Sequence, residues 1–260
     1  MPHDDFGGLR EDLRLTGAAL GRRDLLRLAF GVGMVHLVGC DSSPTSAGDA
    51  GALCATQIPS ETEGPFPADG SNGPDVLTQS GVVRSDIRSS FAGLSGTAAG
   101  IPLTVRLTLV SAGACTPLAG RAIYLWHCDR EGRYSLYSSG ATSQNYLRGV
   151  QESDADGVLS FTTVFPGCYA GRWPHIHFEV YESLAVAVAS GSDLVTSQLA
   201  LPESACDAVY ATSGYEQSVT NLSRISLATD GIFRDGVDQQ LATVTGDVNS
   251  GYVATLTVAV

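Results

Sequence analysis

Between residues 101 and 109 apolar and polar side chains take strict turns: Ile101, Leu103, Val105, Leu107 and Leu109 against Pro102, Thr104, Arg106 and Thr108. Side chains two apart share a face of an extended chain, so this pattern buries one side only as a β-strand. "GRAIYLWHCD", "GVLSFTTVFPG", "GRWPHIHFEVYE" and the tail "GYVATLTVAV" read as further strands, punctuated by turn residues at 129–132 and 166–167. No segment sustains a helical period and no internal repeat is present. With 43% apolar residues to fill a core, the pattern predicts an all-β fold, a single antiparallel β-sandwich domain with long ordered loops. "PSETEGPFPADGSNGPDV" has too many Gly and Pro for a regular element and is expected to be a long ordered loop or a wrap around the domain. Asp154 and Asp156 in "SDADG" are expected in a tight hairpin turn.

The first residues read as an address rather than as fold. Arg22-Arg23 precede an apolar run over residues 25–38 that is short and glycine-rich for a membrane span. The order resembles a twin-arginine signal, and Leu37-Val38-Gly39-Cys40 resembles a bacterial lipobox, which makes Cys40 the expected lipid-modified first residue of an exported lipoprotein. The expected organisation is a signal over 1–39, a flexible tether over 40–53 and one folded domain over 54–260, held at a membrane on the extracytoplasmic side through the lipid anchor. The formal charge is -12 and all 15 basic residues are Arg, scattered singly beyond the N-terminus; an acidic chain without a basic stripe is a poor nucleic-acid binder. Five cysteines remain in the exported body, and in an oxidising compartment Cys54–Cys115 and Cys168–Cys206 are the expected disulfides.

"HIHFEVY" puts His175, His177, Glu179 and Tyr181 on one face of a strand and Ile176, Phe178 and Val180 on the other. Two imidazoles at i, i+2 can be presented to one metal ion. With the signal set aside, His127 is the one other histidine of the body. A three-histidine site therefore needs His127; the alternative completes the pair with oxygen ligands from Tyr134 and Tyr169, phenolate being a hard donor suited to ferric iron. The alternation around Trp126 and His127 favours His127 as a hydrogen-bonding neighbour rather than a ligand.

The motifs "TEGPF" (62–66), "RSDIR" (84–88), "LWHCDREGRYS" (125–135), "YLRGVQESDADG" (146–157), "FPGCYAGRWPHIHFEV" (165–180) and "TSQL" (196–199) together resemble those of intradiol ring-cleavage dioxygenases, nearest to their exported branch. The resemblance implies a non-haem Fe(III) held by Tyr134, Tyr169, His175 and His177, with Tyr169 leaving the metal as a catechol-type diol binds. It further implies Arg172 steadying charge on the bound diolate and Gln198 beside the substrate ring, with O2 as co-substrate and a cis,cis-muconate-type diacid as product. Two other readings make different demands: a Zn-dependent hydrolase on His127, His175 and His177, and a non-catalytic, lipid-tethered β-sandwich binding module.

Overall fold

The computed structural model describes residues 56–260. The expected signal, tether, Cys40 and Cys54 lie outside the described residues. Eight strands form: β1 (Pro102–Val110), β2 (Ala122–Trp126), β3 (Arg148–Glu152), β4 (Val158–Val164), β5 (His175–Tyr181), β6 (Val195–Ala200), β7 (Thr243–Asp247) and β8 (Gly251–Ala259). They make two four-stranded sheets, ordered β4-β1-β8-β7 and β3-β2-β5-β6. The β1–β8 pair is parallel, and the other pairs are antiparallel.

The alternation in the sequence is spent as expected. Leu103, Val105, Leu107 and Leu109 of β1 join Ile123 and Leu125 of β2, Leu159 and Phe161 of β4, and Ile176, Phe178 and Val180 of β5 in one buried cluster. Each such side chain contributes about 1.5–3 kcal/mol by leaving water. The other face of the second sheet is covered as well. Residues 66–77 wrap over it, burying Ala68, Val76 and Leu77 against Tyr124, Trp126, Tyr134 and Tyr181. Both faces of β5 are therefore buried along its whole length.

Three expectations need correcting. The chain has short helices: α1 (Leu184–Ala187), α2 (Glu203–Tyr210) and α3 (Glu216–Leu222). In α2 the buried Ala205, Cys206, Val209 and Tyr210 do follow a helical period, but over too few residues to stand out in a sequence. The turn at 154–157 is tight, with Asp154 Oδ1 accepting from the backbone N–H of Asp156 at 3.0 Å and Val158 at 2.8 Å. It is not a hairpin, because β3 and β4 lie in different sheets and the turn passes the chain between them. Cys168 and Cys206 are free buried thiols rather than a disulfide, as is Cys128; Cys115 is disulfide-bonded.

Candidate metal centre

His175 and His177 stand at the start of β5, on the face opposite the sandwich interior. Their ring nitrogens converge: His175 Nε2 lies 3.1 Å from His177 Nε2. Tyr169 Oη is 3.1 Å from His175 Nε2, and Tyr134 Oη is 3.2 Å from His177 Nε2 and 3.5 Å from His175 Nε2. Donors held at about 2.0–2.1 Å from one cation stand roughly 2.9–3.4 Å apart, so these separations suit four ligands of a single ion. Burial pushes both imidazoles well below the ordinary histidine range, aided for His175 by the positive charge of Arg172 and for His177 by His175 and then Arg172. Neutral imidazole is the form that offers a lone pair to a metal.

Two loops deliver the tyrosines. The turn "DREGRY" is organised by Asp129, whose Oδ1 accepts from the backbone N–H of Glu131 at 3.0 Å and Arg133 at 2.9 Å, while Oδ2 accepts from Arg133 Nε at 2.9 Å and the Tyr146 hydroxyl at 3.2 Å. Ser138 Oγ accepts from Tyr134 N–H at 2.9 Å. The second loop packs directly on the first: Gly167 N–H donates to the Asp129 carbonyl at 3.0 Å, and a Cβ at Gly167 would meet the Arg130 carbonyl oxygen at 2.5 Å. Only glycine allows that approach, and it sets Tyr169 beside Tyr134, ring centroids 5.9 Å apart. Phe66 packs on the Tyr134 ring at 4.9 Å and on Tyr137 at 5.2 Å.

Arg172 is wholly buried beside the cluster. Its Nε donates to Asp230 Oδ2 at 3.0 Å and its Nη2 to Gln198 Oε1 at 2.6 Å. Gln198 pairs with His177 across the β5–β6 ladder and donates its Nε2–H to the Thr62 carbonyl at 2.9 Å. The expected Tyr134, Tyr169, His175, His177, Arg172 and Gln198 thus meet in one place. His127 does not join them: its Nδ1 faces the Cys128 carbonyl and its Nε2 faces Thr163 Oγ1 of β4, each at 2.7 Å. With both ring nitrogens so occupied, it is a buried bridge between the sheets.

Sequence reasoning missed two residues. Asp230, which locks Arg172 and also accepts from Trp173 N–H at 2.7 Å, sits before a Gly in "TDGIF" and reads there as a turn. Arg148 is buried in β3 and donates to the carbonyls of Phe66, Pro67 and Ser135, to Ser135 Oγ and to the Tyr124 hydroxyl, at 2.7–3.1 Å. It ties the 66–77 wrap to the loop of Tyr134.

A family model described as Dioxygenase matches residues 72–212, 141 of the 260 residues, and that span contains all four donors, Arg172 and Gln198. The chain belongs to the intradiol ring-cleavage dioxygenase family. Among solved structures, an intradiol ring-cleavage dioxygenase from Tetranychus urticae superposes with a TM-score of 0.56 at 26% identity, over 68% of this chain and 86% of that one. The 3-chlorocatechol 1,2-dioxygenase of Rhodococcus opacus 1CP shares the fold, with a TM-score of 0.50 at 16% identity over 80% of this chain and 74% of that one. Catechol 1,2-dioxygenase 1 of Acinetobacter lwoffii is 32% identical over 83 residues, a match to 25% of this intradiol family member and 27% of that protein. The matched segment thus spans about a quarter of that relative's length.

Proposed function

We propose that this chain is a non-haem Fe(III)-dependent intradiol dioxygenase acting on a catechol-type aromatic diol. The observation that supports the reading is the convergence of two neutral imidazole nitrogens and two phenol oxygens, with His177 Nε2 and both phenol oxygens lying 3.1–3.5 Å from His175 Nε2 and Tyr134 Oη lying 3.2 Å from His177 Nε2. This donor set suits a hard ferric ion. When bound there, ferric iron supplies Lewis acidity and draws electron density from a chelated diolate, which opens a closed-shell aromatic to O2. The bond between the two hydroxylated carbons breaks, and both atoms of O2 enter the cis,cis-muconate-type diacid.

The chain's own residues divide the remaining work. Tyr134 is buried and Tyr169 half-buried, so Tyr169 is the donor with room to turn outward, and its Oη is placed to take a proton from the incoming diol. Arg172, held by Asp230 and Gln198, is a fixed positive charge where anion develops on the substrate. The 66–77 wrap, with Phe66 against Tyr134, keeps water from one side of the centre.

The test is the visible absorption spectrum of residues 41–260, with iron quantified on the same sample, before and after anaerobic addition of catechol. A phenolate-to-iron band that shifts with catechol, and that weakens or moves in Tyr134→Phe and Tyr169→Phe, is the expected result. An iron-replete but colourless sample would remove the tyrosines from the centre. A metal-free sample that cannot be reconstituted would leave the non-catalytic binding module in front.

We further propose that the chain is an exported lipoprotein anchored through Cys40, a reading supported by the order of Arg22-Arg23, the apolar run and the Leu37–Cys40 box. Labelled palmitate should enter the wild type and not Cys40→Ser, which should leave the membrane fraction. Equal labelling of both would end this reading.

A further inference from the structure

We propose that Trp126 is a positioning residue for the metal centre: its indole face fixes the ring of His177, in place of the hydrogen bond that fixes His175. The inference rests on the ferric reading above. A metal-bound histidine is ordinarily oriented by its second ring nitrogen, which donates to a carbonyl or carboxylate and so sets both tautomer and ring angle. His175 follows that rule, with Nδ1 2.5 Å from the Trp173 carbonyl oxygen. A carbonyl only accepts, so the proton sits on Nδ1 and the lone pair of Nε2 faces the other donors.

His177 departs from it. Its Nδ1 is buried and has no hydrogen-bond partner among the described residues. What meets the ring instead is Trp126, directly opposite in the β2–β5 ladder. The two rings lie 4.9 Å apart at 9° to one another. Behind the indole stands Tyr124, at 5.0 Å and 21°. Tyr124 is itself fixed, donating its hydroxyl to the Pro67 carbonyl at 2.7 Å and accepting from Arg148 at 3.1 Å. All three rings are buried.

A stack anchored in this way admits one imidazole orientation, because turning the ring would drive its edge into the indole. Trp126 Nε1 also has no hydrogen-bond partner among the described residues, so the indole contributes its face and not its polar end. Without an acceptor at Nδ1, His177 lacks the gain in basicity that the Trp173 carbonyl gives His175. It is the weaker donor of the pair, and its hold on the metal depends most on orientation.

The experiment is iron retention by the full chain against increasing concentrations of a hydroxamate chelator, together with the ferric EPR spectrum. Variants are Trp126→Leu, Trp126→Phe and Leu125→Ala, the last on the same strand but facing the sandwich interior. Trp126→Leu should lose iron affinity by about 10–100-fold, the usual range for removing an orienting partner, and should broaden the EPR signal. Trp126→Phe, which keeps a flat face, should stay within about threefold of wild type. Leu125→Ala should lower the melting temperature and leave affinity unchanged in the folded fraction. Trp126→Met, without a flat face, stands in should Trp126→Leu fail to fold.

Wild-type affinity in Trp126→Leu or Trp126→Met, or an equal loss in Leu125→Ala, would overturn the positioning role while the ferric reading stood. A wild type that holds no iron would overturn both.

Discussion

At the scale of single residues, Arg172 and Asp230 are the pair on which the site's fixed charge depends. Both are wholly buried and joined at 3.0 Å, and the Asp230 carboxylate also accepts from the backbone N–H groups of Trp173, Ile232 and Phe233. Removing one partner of a buried ion pair costs about 3–5 kcal/mol, because the other charge loses its compensation. Asp230→Ala is therefore expected to lower unfolding stability by that amount in urea titration, and to lower any turnover beyond the loss of folded protein. The sequence shows one side of this pair only. Arg172 lies three residues before His175 and is legible from the motif, whereas Asp230 lies 58 residues further on with nothing periodic around it. The two histidines were legible because period two displays a face directly. The two tyrosines sit in glycine turns that have no period; residue type alone offered them as oxygen donors beside the rival His127, and the resemblance implied that they join the histidines.

At the scale of elements, the centre is an agreement between loops, and Arg148 brokers it. A buried guanidinium inside a strand breaks the apolar expectation for that face, and in "YLRGVQ" nothing marks it as buried. Its five hydrogen bonds end on neutral oxygens of residues 66, 67, 124 and 135, so the charge is solvated by loop backbone and hydroxyls. Arg148→Met keeps the stem but strands those acceptors, each of which costs about 1–3 kcal/mol if it stays dry. The expected outcome is a loss of more than about 3 kcal/mol in stability, with faster amide hydrogen exchange confined to residues 62–77 and 133–138. Uniformly faster exchange over all eight strands would instead make Arg148 a general core residue. Five of the eight strands, β1, β2, β4, β5 and β8, were legible from the sequence pattern, while β3, β6 and β7, five or six residues each, were not. The helices were not, being four to eight residues long.

At the scale of the whole molecule, the buried His127 and the half-buried Glu61 pull acid stability in opposite directions. Burial lowers His127 to about 4 from an ordinary 6.5. Between those values the unfolded chain binds the proton that the folded one refuses, so stability is full above pH 6.5 and falls as pH drops towards 4, by about 3 kcal/mol. Burial raises Glu61 to about 7 from 4.5. Its contribution has the opposite sign, present below pH 4.5 and lost as pH rises through 7. His127→Gln should therefore lose less stability than wild type on acidification from 6.5 to 4, and Glu61→Gln should gain on wild type between 4.5 and 7. Urea midpoints across that range check both, and a constant offset at every pH would contradict the assignment. Strand β5 sets a further limit on the molecule as a whole. Its even-numbered residues fill the core and its odd-numbered residues include His175 and His177, so one inserted or deleted residue inside it would exchange the two rows, sending an imidazole into the core and a phenylalanine to the face of the donor cluster. A substitution inside this strand leaves the frame intact and a change of length does not, so a one-residue insertion is expected to be tolerated in a stretch such as 183–194, which joins β5 to β6, and not within 175–181.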